Sequence, residues 1–114
     1  VSGTARIAEA EAPEFRVIRI KTEEEIIREE LGEEFVRIAR CESGLRQFDS
    51  EGNVLMSPTN DKGIFQINWV HWETAQKLGY DLDTFKGNLG YAKYLKERNG
   101  TDDWYMSSHC WLTP

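Results

Sequence analysis

The segment Glu33–Gly44 constrains this chain more than any other stretch of it. Phe35, Ile38, Ala39 and Glu42 recur at the spacing of three to four residues that places side chains on one face of an α-helix. Gly32 and Gly44 bracket the run, and glycine takes most readily the left-handed conformation that ends a helix. The spacing predicts a helix from Glu33 to just before Gly44, with an apolar face that must be buried. Glu42 shares that face, in the last turn. A carboxyl group there has two reasons to hold its proton: loss of water around the anion, and the negative end of the helix dipole. A retained proton is what a general acid needs. Position alone does not assign that role, because a glutamate at a helix end is more often solvated or paired with a base such as Arg46.

The flanks predict further elements. Thr22 with Glu25 forms the pattern of a capping box, opening a helix that runs to about Leu31 and stops at Gly32. Before it, residues 1–21 read as an N-terminal arm or linker, extended from Phe15 to Ile20, and residues 22–114 as the domain proper. Gln47 to Asp61 is rich in Ser, Asn, Asp, Gly and Pro, as in a loop or small hairpin. Gly63 to Asn68 is a short apolar run that periodicity leaves open between strand and buried helix. Two more helices are expected, about Val70 to Leu78 ending at Gly79, and about Thr84 to Arg98, the latter with Phe85, Leu89, Ala92 and Leu95 at core spacing.

Charge narrows the partners. With 14 Lys+Arg against 20 Asp+Glu the formal net charge is −6, which argues against nucleic acid and would modestly repel any anionic polymer. No apolar run approaches the roughly 18 residues of a membrane span. Val1 to Ala12 is mixed and acidic, unlike a signal peptide, so an exported chain is expected to have lost its leader. The two cysteines, Cys41 and Cys110, form no CxxC pair and stand in no recognised metal spacing with His71 or His109. No metal and no cofactor are expected. One disulfide between the cysteines would tie the C-terminal end to a central helix and suit an oxidising compartment; two buried thiols are the alternative.

Two linked motifs carry a resemblance. Ala39-Arg-Cys-Glu-Ser-Gly44 resembles the end of the catalytic helix in the lysozyme-like superfamily, where lytic transglycosylases and lysozymes place a Glu-Ser pair. Gly63-Ile-Phe-Gln66 is similar to the Gly-Leu-Met-Gln signature of the transglycosylases, and Asp61 to Asn68 to the Asp-Tyr-Gly-Ile-Leu-Gln-Ile-Asn stretch of c-type lysozymes. Gly87-Asn88-Leu89 with Tyr94-Leu95 resembles the transglycosylase C-terminal helix. Cys41-Glu-Ser-Gly44 with Trp104 and Cys110 is similar to the resuscitation-promoting factors. The likeness covers roughly Thr22 to Trp111. One departure stands out: Ser107-Ser-His-Cys-Trp111 occupies the place of the Ala-x-x-Tyr-Asn-Ala-Gly segment of the transglycosylases, so no tyrosine carries over from it, and His109 has no assigned role.

The resemblance implies a mainly α, α+β lysozyme-like domain with a small hairpin or loop beside an active-site cleft. It implies cleavage of the β-1,4 bond between N-acetylmuramic acid and N-acetylglucosamine in peptidoglycan strands, by an extracytoplasmic monomer. Glu42 would be the general acid, Ser43 its hydrogen-bonding neighbour, and Gln66 and Asn68 residues lining the sugar cleft. Helix order and the Asn88 region put a lytic transglycosylase first. A hydrolytic lysozyme using Glu42 plus Asp61 is the alternative, with Asp49 and Glu51 as fallback carboxylates, and a catalytically silent glycan binder is the second. Trp69 and Trp72 are core residues or sugar-stacking platforms.

Overall fold

The computed structural model of the protein describes residues 19–112, so most of the expected N-terminal arm lies outside the described residues. Helix α1, Glu23–Leu31, starts as its sequence dictates: the Glu25 backbone N–H donates to Thr22 Oγ1 at 3.1 Å, and the Thr22 N–H donates to Glu25 Oε1 at 3.2 Å. Gly32, at φ 96°, closes α1, and α2, Glu33–Ser43, begins at once. Phe35, Val36, Ile38 and Ala39 are buried along one face of α2, and Gly44 ends it in the left-handed conformation.

Beyond α2 the chain makes a small β-element. Isolated bridges join Phe48 to Val54 and Met56 to Lys62, and strands β1, Asp61–Lys62, and β2, Ile67–Asn68, pair antiparallel with Asp61 opposite Asn68. The run Gly63 to Asn68, left open by periodicity, is thus a turn over Gly63–Gln66 leading into a two-residue strand. Its apolar character comes from Ile64 and Phe65, which plunge into the core at the turn rather than alternating along a strand.

The helix expected over Val70 to Leu78 is split. A 3-10 turn, Trp69–His71, is capped by the Asn68 side chain accepting from the Val70 N–H at 3.2 Å, and α3 is only Trp72–Lys77. Helix α4, Phe85–Asn99, has Thr84 as N-cap, its hydroxyl accepting from the Gly87 N–H at 2.9 Å. A second 3-10 segment, Asp102–Ser107, leads into the short α5, Ser108–Trp111.

The core gathers beneath the β-element. Phe35 of α2 meets Trp104 edge-on at 5.2 Å between centroids and Phe65 at 6.2 Å, and Trp104 Nε1–H donates to Phe65 O at 3.0 Å. Each of these aromatic side chains contributes on the order of 2–3 kcal/mol through burial. Cys41 and Cys110 form a disulfide that ties the end of α2 to α5. Among the described residues no helix is long and apolar enough to cross a membrane.

A candidate active-site cleft

A cleft of about 370 Å³ opens between the end of α2 and the β-element, and Glu42, Asp61, Gln66 and Asn68 all line it. Glu42 arrives there because the apolar face of α2 carries it inward. Its Oε2 accepts a hydrogen bond from Ser107 Oγ at 2.7 Å. Burial pushes the Glu42 carboxyl above its ordinary range; the Ser107 hydroxyl works against that shift and the negative charge of Asp61 adds to it.

Asp61 is built the other way. Burial alone would raise it as well, but three side-chain donors outweigh burial and hold its carboxyl below the usual range. Ser57 Oγ donates to Oδ2 at 2.6 Å, the Thr59 hydroxyl donates to the same oxygen, and Asn68 Nδ2 donates to Oδ1 at 2.8 Å. The last contact follows from strand register, since Asn68 stands directly across from Asp61. One cleft therefore holds two carboxyl groups tuned apart: Glu42 towards its neutral form and Asp61 towards its anion.

Two buried amides hold the turn that carries Asp61. Gln47 Oε1 accepts from the Ile64 N–H at 2.8 Å while its Nε2 donates to Leu82 O at 3.0 Å. Asn88, on α4, accepts from the Phe65 N–H at 3.0 Å and donates to Lys62 O at 2.9 Å and Leu82 O at 3.1 Å. Gly63 lies against both, at φ 77°, where a Cβ would come within 2.3 Å of Asn88 Nδ2 and 2.7 Å of Gln47 Oε1. Asn88, which carried part of the sequence likeness, is thus fully buried and locks the turn to α4.

The remaining sequence candidates separate. Gln66 stands at the cleft wall with its Nε2 donating to Gly63 O at 2.9 Å, and Asn68 both lines the cleft and orients Asp61. Ser43 does not line the cleft: it is 5% exposed, and its hydroxyl lies 2.8 Å from Ile64 O and 3.1 Å from Ala39 O, pinning α2 to the turn. Expected to bind substrate as the hydrogen-bonding neighbour of Glu42, Ser43 finds its partners on the core side of α2 instead, because the turn of the helix that brings Glu42 to the cleft points Ser43 inward. Asp49 accepts from the Glu51 and Asn53 N–H groups within its own turn, and neither Asp49 nor Glu51 lines the cleft. Trp69 is largely exposed, and Trp72 packs under the Lys62 ammonium, 4.2 Å from the ring centroid; neither lines the cleft.

His71, Asp103 and Ser107 were not legible as site residues, yet His71 and Asp103 line the cleft and Ser107 touches Glu42. His71 Nδ1 lies 2.9 Å from the Tyr91 hydroxyl, and its Nε2 lies 3.7 Å from Asp103 Oδ1. For Ser107 a signal was present: Trp104, Ser107 and Trp111 recur at intervals of three and four, the spacing of one helical face. Among the described residues no cluster of His, Cys, Asp or Glu is arranged to hold a metal ion. No family model, curated protein or solved structure matches the chain.

Proposed function

We propose that the protein is a glycosidase with a lysozyme-like α+β architecture that cleaves the β-1,4 bond of peptidoglycan strands. The observation that carries this reading is the pair of oppositely tuned carboxyl groups lining one cleft, Glu42 shifted towards its neutral form by burial and Asp61 towards its anion by its donors. Such a pair is what splitting a glycosidic bond asks for: an acid to protonate the leaving oxygen and an anion to meet the positive charge that develops on the sugar. The sequence likeness around Glu42 and over Asp61 to Asn68 supports the same assignment, and the Cys41–Cys110 bridge suits an extracytoplasmic setting.

Glu42 would give its proton to the bridging oxygen as the bond breaks, a contribution of roughly 10²–10⁴ in rate for a well-placed acid. Asp61 would stabilise the oxocarbenium-like centre or bond to it, and Glu42, now a carboxylate, would take a proton from the incoming water. We place hydrolysis ahead of transglycosylation on one ground. Asn88, which favoured the transglycosylases in sequence, is a buried lock, whereas Asp61 is furnished with three donors that keep it an anion in the cleft.

Mass spectrometry of products released from purified peptidoglycan, beside a Glu42→Gln control, tests the proposal. Reducing-end muropeptides dependent on both Glu42 and Asp61 are expected. Products one water lighter, ending in anhydromuramic acid, would instead establish a lytic transglycosylase and leave Asp61 a structural residue. Strand binding without Glu42-dependent release would sink the enzyme reading in favour of a silent binder.

A further inference from the structure

We propose that Ser107 is a positioning residue that decides which oxygen of Glu42 carries the acid proton, an inference that rests on Glu42 being the acid. The argument is one of donor and acceptor inventory. The Trp111 indole N–H can only donate. It lies 3.1 Å from Ser107 Oγ and 3.2 Å from Trp104 O, forking between them. With Trp111 occupying a lone pair of Ser107, the single hydroxyl proton has two acceptors within reach: Glu42 Oε2 at 2.7 Å and Trp104 O at 3.1 Å. The carboxyl oxygen is closer, and Trp104 O already receives the indole. The proton goes to Glu42.

An oxygen that accepts a short hydrogen bond is the poorer seat for the acid's own proton. The proton of neutral Glu42 is therefore directed to Oε1, and Oε2 is kept as the acceptor. As that proton departs, the Ser107 bond becomes charge-assisted and roughly twice as strong. The gain appears only while the bond to the sugar is breaking, which is when an interaction raises kcat rather than lowering KM. Trp104 O, at 3.1 Å, is the hydroxyl's other acceptor, but a proton turned to it would leave Glu42 Oε2 without this donor, which favours the orientation towards Glu42.

Ser107 is held well enough to do this. It is followed by α5, which the disulfide bolts to Cys41, the residue before Glu42. Arg37 of α2 also donates from Nε to Trp111 O at 3.2 Å. Acid and hydroxyl are thus fixed to one another through both backbone segments.

The test compares pH profiles of kcat and KM on purified peptidoglycan for wild type, Ser107→Ala, Ser107→Thr and Glu42→Gln. Ser107→Ala is expected to lower kcat roughly ten- to a hundredfold, the size of a lost hydrogen bond to a charged group, with little change in KM. Its alkaline limb should move to higher pH, because the anion of Glu42 has lost its donor. Ser107→Thr, which keeps a hydroxyl, should restore both. Should the alanine variant fail to fold, the nearly isosteric Ser107→Cys, a weak donor, must show the same direction of shift. An unmoved alkaline limb, or a loss carried by KM, would overturn the proposal and leave Ser107 a packing residue. If wild type itself releases no Glu42-dependent product, the acid reading falls and this inference with it; an active wild type whose profile Ser107→Ala leaves intact defeats the inference alone. A carbon-13 titration of the Glu42 carboxyl without substrate gives an independent reading, and it too must move upward in Ser107→Ala.

Discussion

Replacing Gly63 by alanine should unfold the site from its foundation, and a second glycine provides the control. Gly63 and Gly52 have nearly the same backbone angle, φ 77° and 84°. Placing an L-residue there costs roughly 1–2 kcal/mol in either case. At Gly52 a Cβ would meet nothing within 4 Å, so the backbone term is the whole cost. At Gly63 it would stand 2.3 Å from Asn88 Nδ2 and 2.7 Å from Gln47 Oε1. Neither amide can retreat cheaply, since between them they satisfy the N–H groups of Ile64 and Phe65 and the carbonyls of Lys62 and Leu82. Each buried group left unmade costs about 1–3 kcal/mol, so Gly63→Ala should lose roughly 3–6 kcal/mol, a large part of the 5–15 kcal/mol that holds a domain together. At about 4–8 °C per kcal/mol for a domain of this size, Gly63→Ala should melt at least about 8 °C below Gly52→Ala. Thermal unfolding followed by circular dichroism reads the difference directly. Equal melting temperatures would refute the reasoning, by showing that the amides shift without penalty.

Three further outcomes are expected. Because burial raises the Glu42 carboxyl above its unfolded value, the native state binds the extra proton and stability falls as pH rises from the unfolded pKa through the folded one. Glu42→Gln should therefore melt higher than wild type at pH 7, with the gap closing near pH 4; a lower melting temperature at pH 7 would contradict the assignment. Asn68→Ala removes a donor that holds Asp61 below its usual range, so the acidic limb of the activity profile should move to higher pH, and an unmoved limb would show that Asp61 does not act as the anion. Replacing Cys41 and Cys110 with serine opens a link between positions 69 residues apart and should cost about 4 kcal/mol by loop entropy, checked by denaturant titration of both forms.

Helices α1, α2 and α4 were legible because their signals are local, whereas the helical segments Asp102–Ser107 and Ser108–Trp111 were not anticipated. Thr22 with Glu25, Gly32, Gly44 and Thr84 act within one turn of themselves, and the structure uses each as a cap or stop. The split after Asn68 was not legible, because the side chain that caps Val70 is a polar residue inside a run that reads as apolar. Glu42 could be placed on its face from spacing alone. Its surroundings could not, since Ser107 reaches it across 65 positions of sequence. Ser43 shows the opposite hazard: adjacent in sequence to Glu42, it points into the core, because neighbours on a helix are turned about 100° apart. Asp61 and Asn68 were both candidates, but that one orients the other depends on a strand register that a two-residue pair leaves unmarked in sequence.

The hairpin has consequences for how the molecule holds together. Two rungs of antiparallel ladder cannot persist alone in water. What holds them comes from elsewhere in the chain: Gln47 and Asn88 accept from the Ile64 and Phe65 N–H groups, and Ser43 and Trp104 donate to the carbonyls of the same two residues. Ile64 and Phe65 in turn fill the core against α2 and Trp104, so the strand bearing Asp61 orders together with the helices rather than after them. Opening the turn would cost core packing as well as hydrogen bonds, so the amide protons of Ile64 and Phe65 should exchange together, with protection close to that of the α2 core. The site would then come and go with the fold that carries it.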